Sequence, residues 1–458
     1  MINDISTKRY LLLALIFLMM ANLAVATSCK DDIPEPVKIN TEITLPHFSE
    51  RAQQVLMKKQ LRILDIGNSY TQDATELLKY IAKASGADLS NICIYAAIRS
   101  SASFQSWYNV YNDKDDRKYN VFNVLGNLGA NVNVGIAKAG DGSLFRETLN
   151  NQEWDMIVIH QYSLYAPYYQ YWENDDGDRG YLNQLINLIR QAQPNAVIGM
   201  YVVHSYWDDF DANMEHSSFE RWRLIAESVK NILASNENIE FVIPYGTAVE
   251  NMRQTSFNNE FDITRDGTHL ALGLGRYTAA CSYYQSILAP RTGIPVLGNS
   301  YRYNVEAQSK YPVVAVNDEN AWEAQKAAIL ATKNPFDCIN PQDYRGVTYK
   351  MGKRIIYADV VRVGSTITTC QLPEEDGYDV TGWFVDKECT TLYNPLNVIT
   401  QDIILYAKKT ERKPMGINEH YEYDYNTQWH SVSGIENNRR RSRGEVLVGN
   451  GIKVFNGK

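Results

Sequence analysis

Basic charge is in short supply in this 458-residue chain, where 45 lysines and arginines stand against 53 aspartates and glutamates. Without a broad cationic face, bulk nucleic-acid binding is not expected. Cysteine is equally sparse, at six. Apart from Cys29, near the N-terminus, these are Cys93, Cys281, Cys338, Cys370 and Cys389. An odd set without C-x-x-C spacing argues against a zinc site or a full disulfide framework. Cys370 and Cys389 share one short segment and could pair; isolated buried thiols are the plainer expectation. Long apolar runs are missing too, except for Tyr10 to Ala21. Nothing else approaches the roughly 18 apolar residues of a spanning helix. Charged residues are only 21% against 45% hydrophobic, so disorder throughout is excluded.

What is present begins with a leader. Lys8-Arg9 precede the apolar run and small residues follow it, the pattern of a secretory signal over residues 1–28. Two processing readings stay open. Ala24-Val25-Ala26 is an A-x-A cleavage site, whereas Ala26-Thr27-Ser28-Cys29 resembles a relaxed bacterial lipobox that would lipidate Cys29. Lys30-Asp31-Asp32 and a proline-containing polar stretch follow, which suits a lipid-anchored tether over 29–58. The Cys-Lys-Asp-Asp start also resembles the surface-export signal of some Gram-negative lipoproteins. The expected location is the outer membrane, periplasmic or surface-exposed, with membrane contact only through the N-terminal lipid.

The length suits two or more domains. Residues 60–300 alternate short β-rich runs with helical patterns, as a parallel α/β sheet does. Five strands are expected, at Leu61 to Ile66, Asn91 to Ile98, Trp154 to His160, Ala196 to Val203 and Ile239 to Pro244. Helical periodicity runs from Asp73, over Leu182 to Ala192, over Phe219 to Ala234 and over Leu270 to Leu288. Near-continuous apolar strands predict a sheet covered on both faces. Trp107 to Lys138, rich in Asn, Asp and Gly, reads as an insertion. After about residue 340 only strands and turns remain, so a small β-rich domain is expected over 344–410. The tail over 411–458 includes a short basic run, Arg439 to Arg443, and a strand-like end.

Two motifs carry chemistry. Gly67-Asn68-Ser69-Tyr70 lies where a strand meets a helix. That places the Ser69 hydroxyl at the C-terminal edge of the sheet, where open α/β folds bind ligands. Free backbone N–H groups at the helix start would stabilise an oxyanion there. The same tripeptide is also a good turn and helix cap. Far downstream, Asp266-Gly267-Thr268-His269 opens the last helical stretch. A carboxylate three residues before a histidine can turn back onto Nδ1 and leave Nε2 to take a serine proton. An Asp cap beside a surface histidine is the bland alternative.

Leu64-Asp65-Ile66-Gly67-Asn68-Ser69-Tyr70-Thr71 and Arg265-Asp266-Gly267-Thr268-His269-Leu270 resemble the first and last blocks of the SGNH, or GDSL-like, hydrolases. The resemblance covers roughly residues 60–300 and implies a three-layer α/β/α sandwich, bounded at 59–338. It implies Ser69 as nucleophile, His269 as general base and then acid, and Asp266 as the group orienting His269. No metal or organic cofactor is required. The middle blocks depart from the pattern. Ile98-Arg99-Ser100-Ser101-Ala102-Ser103 has no glycine where the second block supplies an oxyanion N–H, so Ser100 or Ser101 is left to donate. The third block's asparagine is replaced by Gln161, after His160. The implied oxyanion donors are therefore Ser69, Ser101 and Gln161. Residues 344 to 407 resemble the internalin-type B repeat, a module of bacterial surface proteins.

Other polar residues invite both structural and functional readings. His160 and His204 end strands and suit buried structural roles as well as the site. Tyr162, Tyr165, Tyr168, Tyr169, Tyr171 and Trp172 follow the third strand, and Tyr162, Tyr165, Tyr168 and Trp172 are candidates for stacking on a sugar. Glu173 to Asp178 is acidic but lacks the spacing of a calcium loop, so no metal is expected. The function expected is ester hydrolysis, with an acylated glycan or small ester as partner. Two alternatives remain: a decayed glycan-binding or adhesion lipoprotein, and an esterase or lipase for longer acyl chains.

Overall fold

Strands buried on both faces can be apolar along their whole length, and that pattern builds the centre of this molecule. The computed structural model describes residues 37–39, 42–112, 119–130, 145–150, 152–173, 180–210, 216–259, 261–304 and 313–412, and the backbone of 430–431, 446–449 and 452–455. The leader, Cys29, the acidic stretch 174–178 and the basic run 439–443 lie outside the described residues.

The first elements are β1 (Val37–Lys38) and α1 (Glu50–Leu56). A six-stranded sheet follows, with β2 (Leu61–Gly67), β3 (Ile92–Ile98), β4 (Asn120–Asn123), β5 (Met156–Ile159), β6 (Val197–Tyr201) and β7 (Ile239–Ile243). Its order is β4-β3-β2-β5-β6-β7, parallel except for the antiparallel edge strand β4. The five expected strands are therefore joined by a sixth. Its half-exposed Asn-Val-Phe-Asn has too little apolar content to read as a strand.

The helices are α2 (Ser69–Thr75), α3 (Leu78–Ser85), α4 (Phe104–Asn112), α5 (Phe145–Asn150), α6 (Leu182–Ala192), α7 (Ser218–Ser235), α8 (Tyr245–Arg253), α9 (Leu274–Tyr283), α10 (Ala289–Thr292) and α11 (Asp318–Lys333). Helices α4, α5 and α6 pack on one another, and α9 packs against α2, α8 and α11. Two expected helix starts move. The first helix begins at Ser69 rather than Asp73, because the Asn68 side chain accepts the Tyr70 N–H at 2.9 Å and caps it there. The last begins at Leu274 rather than Leu270. Before it, a tight loop closes through Arg265 N–H to the His269 carbonyl at 2.9 Å, so Asp266 to His269 belong to a loop. Trp107, expected in an insertion, lies in α4, whose Phe104, Trp107 and Val110 face inward.

The small domain has β8 (Tyr344–Met351), β9 (Arg354–Arg362), β10 (Ile367–Thr368), β11 (Tyr378–Phe384) and β12 (Ile403–Glu411), ordered β11-β12-β8-β9 with β10 apart. Gly352, at φ +60°, makes the turn between antiparallel β8 and β9. Val347, Tyr349, Trp383 and Leu405 form its core, and the Trp383 indole N–H donates to the Cys370 carbonyl at 2.8 Å. The domain packs on α11, where Lys326 reaches the Tyr344 carbonyl and Gly346 leaves room for Trp322.

Within the segment expected as a tether, residues 37–39 and 42–58 are part of the packed structure. Strand β1 pairs with β10, Ile39 is buried in the small domain's core, and α1 packs Ala52, Val55 and Leu56 inward. Accordingly the described residues up to Glu375, with Val380–Lys409, form one compact unit. A second unit contains β13 (His430–Ser431), β14 (Val446–Gly449) and β15 (Ile452–Phe455) as an antiparallel sheet. Cys93, Cys281, Cys338, Cys370 and Cys389 are free thiols. Among the described residues no helix is long and apolar enough to cross a membrane.

Candidate active site

Strand β2 is flanked by β3 and β5, so Gly67 pairs with Ile98, and Ile66 with Ile159. The segments after these three strand ends therefore meet. Asn68 ties two of them, since its Nδ2 donates to the Ala102 carbonyl at 3.1 Å while its Oδ1 caps α2. An aspartate could cap but could not donate. Ser69 takes the first position of α2, where a backbone N–H has no acceptor within the helix. Its side chain is half-buried.

The loop 265–270 brings the other motif to the same place. Ser69 Oγ lies 2.8 Å from His269 Nε2, and His269 Nδ1 lies 2.8 Å from Asp266 Oδ2. Asp266 Oδ1 accepts three further hydrogen bonds, from the His269 N–H at 2.8 Å, the Thr268 N–H at 3.1 Å and the Thr268 hydroxyl at 3.0 Å. Burial alone would raise the Asp266 carboxyl. The His269 ring and the backbone N–H groups outweigh it and hold the group well below the usual carboxylate range. An ionised Asp266 accepts a hydrogen bond from the Nδ1–H, which keeps the proton on Nδ1 and leaves the Nε2 lone pair facing the Ser69 hydroxyl. Gly267 makes this turn at φ +84°, with Phe210 against it.

Ser101 stands where the resemblance implies a glycine, and its φ is +52°. The left-handed region costs a non-glycine residue about 1 kcal/mol or more and recurs at functional sites. The backbone thus takes a glycine's conformation without the glycine. Gln161 is buried, and its Oε1 accepts the Phe104 N–H at 3.2 Å and the Tyr162 N–H at 2.9 Å. Those bonds set which end of the amide is which, with Nε2 turned away from both donors.

His160 fills the space under Gly67. Its Nδ1 donates to the Gln161 carbonyl at 2.9 Å and its Nε2 accepts the Thr71 hydroxyl at 3.0 Å. Burial pushes its pKa down to about 4, so it is a neutral, structural histidine. His204 is also buried and neutral, and its Nε2 donates to the Thr268 carbonyl at 2.8 Å.

Tyr162, Tyr165 and Tyr168 are half-buried in a loop of successive turns, with Tyr162 edge-on to Tyr165 at 5.5 Å. Trp172 must be taken off the list of stacking residues. It is 1% exposed, packs edge-on against Phe104 and donates its indole N–H to the Tyr165 carbonyl at 3.2 Å. It holds the loop from inside. A cavity of about 670 Å³ lined by Lys58, Asn91, Arg291 and Arg354 lies at the opposite, N-terminal ends of β2 and β3. Among the described residues no cluster of His, Cys, Asp or Glu is arranged to hold a metal.

Sequence reasoning missed Tyr70 and Asp73, both buried on α2 and both bonded to the loop carrying His269. The available signal was their spacing, one and four residues after Ser69.

Residues 346–408 match the model of the Listeria-Bacteroides repeat domain. Among solved structures, a DUF4886 family protein from Bacteroides uniformis is 24% identical, with 61% of this chain and 98% of that one covered and a TM-score of 0.48. An acetyl xylan esterase is 15% identical over 48% of this chain and 96% of its own, with a TM-score of 0.28. A gut microbial diltiazem-metabolizing enzyme is 13% identical over 55% and 49%, with a TM-score of 0.28. Comparison with curated proteins returns no match. The model of DUF4886, a domain of unknown function, matches residues 62–322, which run from β2 past His269 and make up more than half of the sequence; the chain belongs to the DUF4886 family.

Proposed function

We propose that the protein is a serine ester hydrolase of the SGNH type that removes acetyl or other short acyl groups from carbohydrate at the cell surface. The observation that carries this reading is the hydrogen-bonded chain from Ser69 through His269 to Asp266. Ser69 Oγ attacks the ester carbonyl while His269 Nε2 takes its proton, and Asp266 stabilises the imidazolium. The oxyanion is met by the Ser69 N–H, the Ser101 N–H and Gln161 Nε2. Collapse expels the alcohol, which receives the proton from His269. Water then attacks the acyl-serine, with His269 as base, and releases the acid. No step calls on a cofactor.

The choice of a sugar ester rests on the lipoprotein-like leader and on the half-buried tyrosines after β5. Phenolic rings on the ligand side of the sheet suit a sugar face. The rival reading, a decayed glycan-binding protein, rests on the missing glycine near Ser100 and on the C-terminal repeat domain. The left-handed φ of Ser101 weighs against the first ground, because the backbone there takes a conformation that favours glycine.

The test is release of acetate from p-nitrophenyl acetate and acetylated oligosaccharides, by the wild type and by Ser69→Ala. Turnover that vanishes in the variant is expected. A folded protein that releases nothing, or a variant as active as the wild type, overturns the reading. A p-nitrophenyl decanoate hydrolysed faster than the acetate would move the substrate to longer acyl chains.

A further inference from the structure

We infer that Tyr70 and Asp73 are positioning residues that hold His269 in line with Ser69. Helix α2 begins with Ser69, and Tyr70 and Asp73 lie within its next turn. The Tyr70 hydroxyl donates to the Thr268 carbonyl at 2.7 Å. His204 Nε2 donates to the same carbonyl at 2.8 Å, and its ring stacks on Tyr70 at 4.0 Å. On the other side of His269, the Leu270 N–H donates to Asp73 Oδ2 at 2.8 Å. Asp73 Oδ1 accepts Arg265 Nη1 at 3.0 Å and Arg276 Nε at 2.8 Å, and Arg265 also donates to the Leu270 carbonyl at 2.6 Å. The peptide groups on either side of His269 are thus tied to the helix that starts with Ser69.

This grip answers a mechanical problem. Ser69 and His269 come from segments 200 residues apart, yet proton transfer needs their 2.8 Å contact kept. A misplacement of about 1 Å costs on the order of 100-fold in rate. Because α2 carries the serine and both grips, motion of the helix takes the histidine loop with it. A purely structural role predicts something else, namely that losing these bonds lowers stability and leaves the chemical step of the folded protein alone.

The inference rests on the hydrolase reading for its rate readout, so a second readout is paired with it. Tyr70→Phe removes one hydroxyl and keeps the ring on His204; Asp73→Asn keeps an acceptor for Leu270 but loses the charge facing two arginines. With p-nitrophenyl acetate, kcat should fall about tenfold in the first and about 100-fold in the second, with KM within threefold. Independently of turnover, the low-field Nδ1 proton of His269, assigned by its loss in His269→Gln, should shift or broaden in both variants. That resonance decides the inference. Movement in Tyr70→Phe, which is expected to fold even if Asp73→Asn does not, upholds it. An unmoved resonance in folded Tyr70→Phe overturns it. A wild type that hydrolyses no ester sinks the hydrolase reading and leaves the resonance to decide the positioning role.

Discussion

Ser69 Oγ and His269 Nε2 lie 2.8 Å apart although 200 residues separate them in the chain. The contact exists because β2 delivers Ser69 to the sheet edge, while α9, packed on α2, anchors the loop that carries His269. Each motif is local; their meeting is a property of the packed fold.

Asp266→Asn tests how far the chemistry depends on charge rather than shape. The variant keeps the size of the side chain but can turn its NH₂ toward His269 Nδ1. The histidine then carries its proton on Nε2 and cannot accept one from Ser69. We expect kcat on p-nitrophenyl acetate to fall about 10³- to 10⁴-fold near neutral pH, with little change in KM. Retention of more than a tenth of the wild-type rate would remove Asp266 from the assigned role.

Ser101 offers a pair of opposed substitutions. Ser101→Gly relieves the cost of a φ of +52° and should stabilise the protein by about 1 kcal/mol while keeping activity. Ser101→Pro imposes a φ near −65° and deletes the N–H, so it should remove most of the activity. Thermal melts and acetate release on the two variants check this. Equal activity in both would exclude the Ser101 N–H as an oxyanion donor.

Gly67 is required by the residue beneath it. A Cβ there would stand 2.2 Å from His160 Nε2 and 2.2 Å from Thr71 Oγ1. Gly67→Ala should cost about 1–3 kcal/mol, in the range of overpacked cores. Combined with His160→Ala, which opens the same space, it should cost less than the sum of the two single changes. Chemical denaturation of the four proteins reads the coupling, and simple additivity would contradict the contact.

Two buried groups make opposite demands on pH. His160, pushed down to about 4 by burial, titrates near 6.5 when unfolded. Between those values the unfolded chain holds a proton the native one lacks, so stability falls on acidification from about pH 6.5 to about 4. Asp65, buried under Tyr283 and pushed up to about 7, holds a native proton that the unfolded chain loses above about 4. Its contribution is therefore present at low pH and is lost as pH rises through 7. In the wild type the two slopes oppose each other. Asp65→Asn deletes only the second, so its melting temperature should exceed the wild type's at pH 8 and fall more steeply toward pH 5. Parallel curves for the two proteins would show that Asp65 does not titrate in this window.

Much of the frame was legible because it is written in local patterns. Apolar runs such as Leu61 to Ile66 read as buried strands, and Leu182 to Ala192 kept its expected bounds as α6. Where expectation and structure part, a longer-range or finer interaction intervened. Asn68 caps α2 five residues before Asp73, the expected helix start. Strand β4 forms because β3 offers it an edge, not because Asn-Val-Phe-Asn favours a strand. Trp172 looked like a ligand platform by its neighbours and proved to be the inner support of the tyrosine loop.

By itself, the sequence determined the alternating strands and helices, the strand-end position of Ser69 and the short return from Asp266 to His269. These follow from hydrophobic period and from hydrogen bonds spanning a few residues. Only the tertiary structure decided that Gly67 lies over His160, that Ser101 adopts a left-handed turn, and that Tyr70 and Asp73 grip the peptides beside His269. Those relationships join segments far apart in the chain, and side-chain packing rather than local preference sets which of them meet.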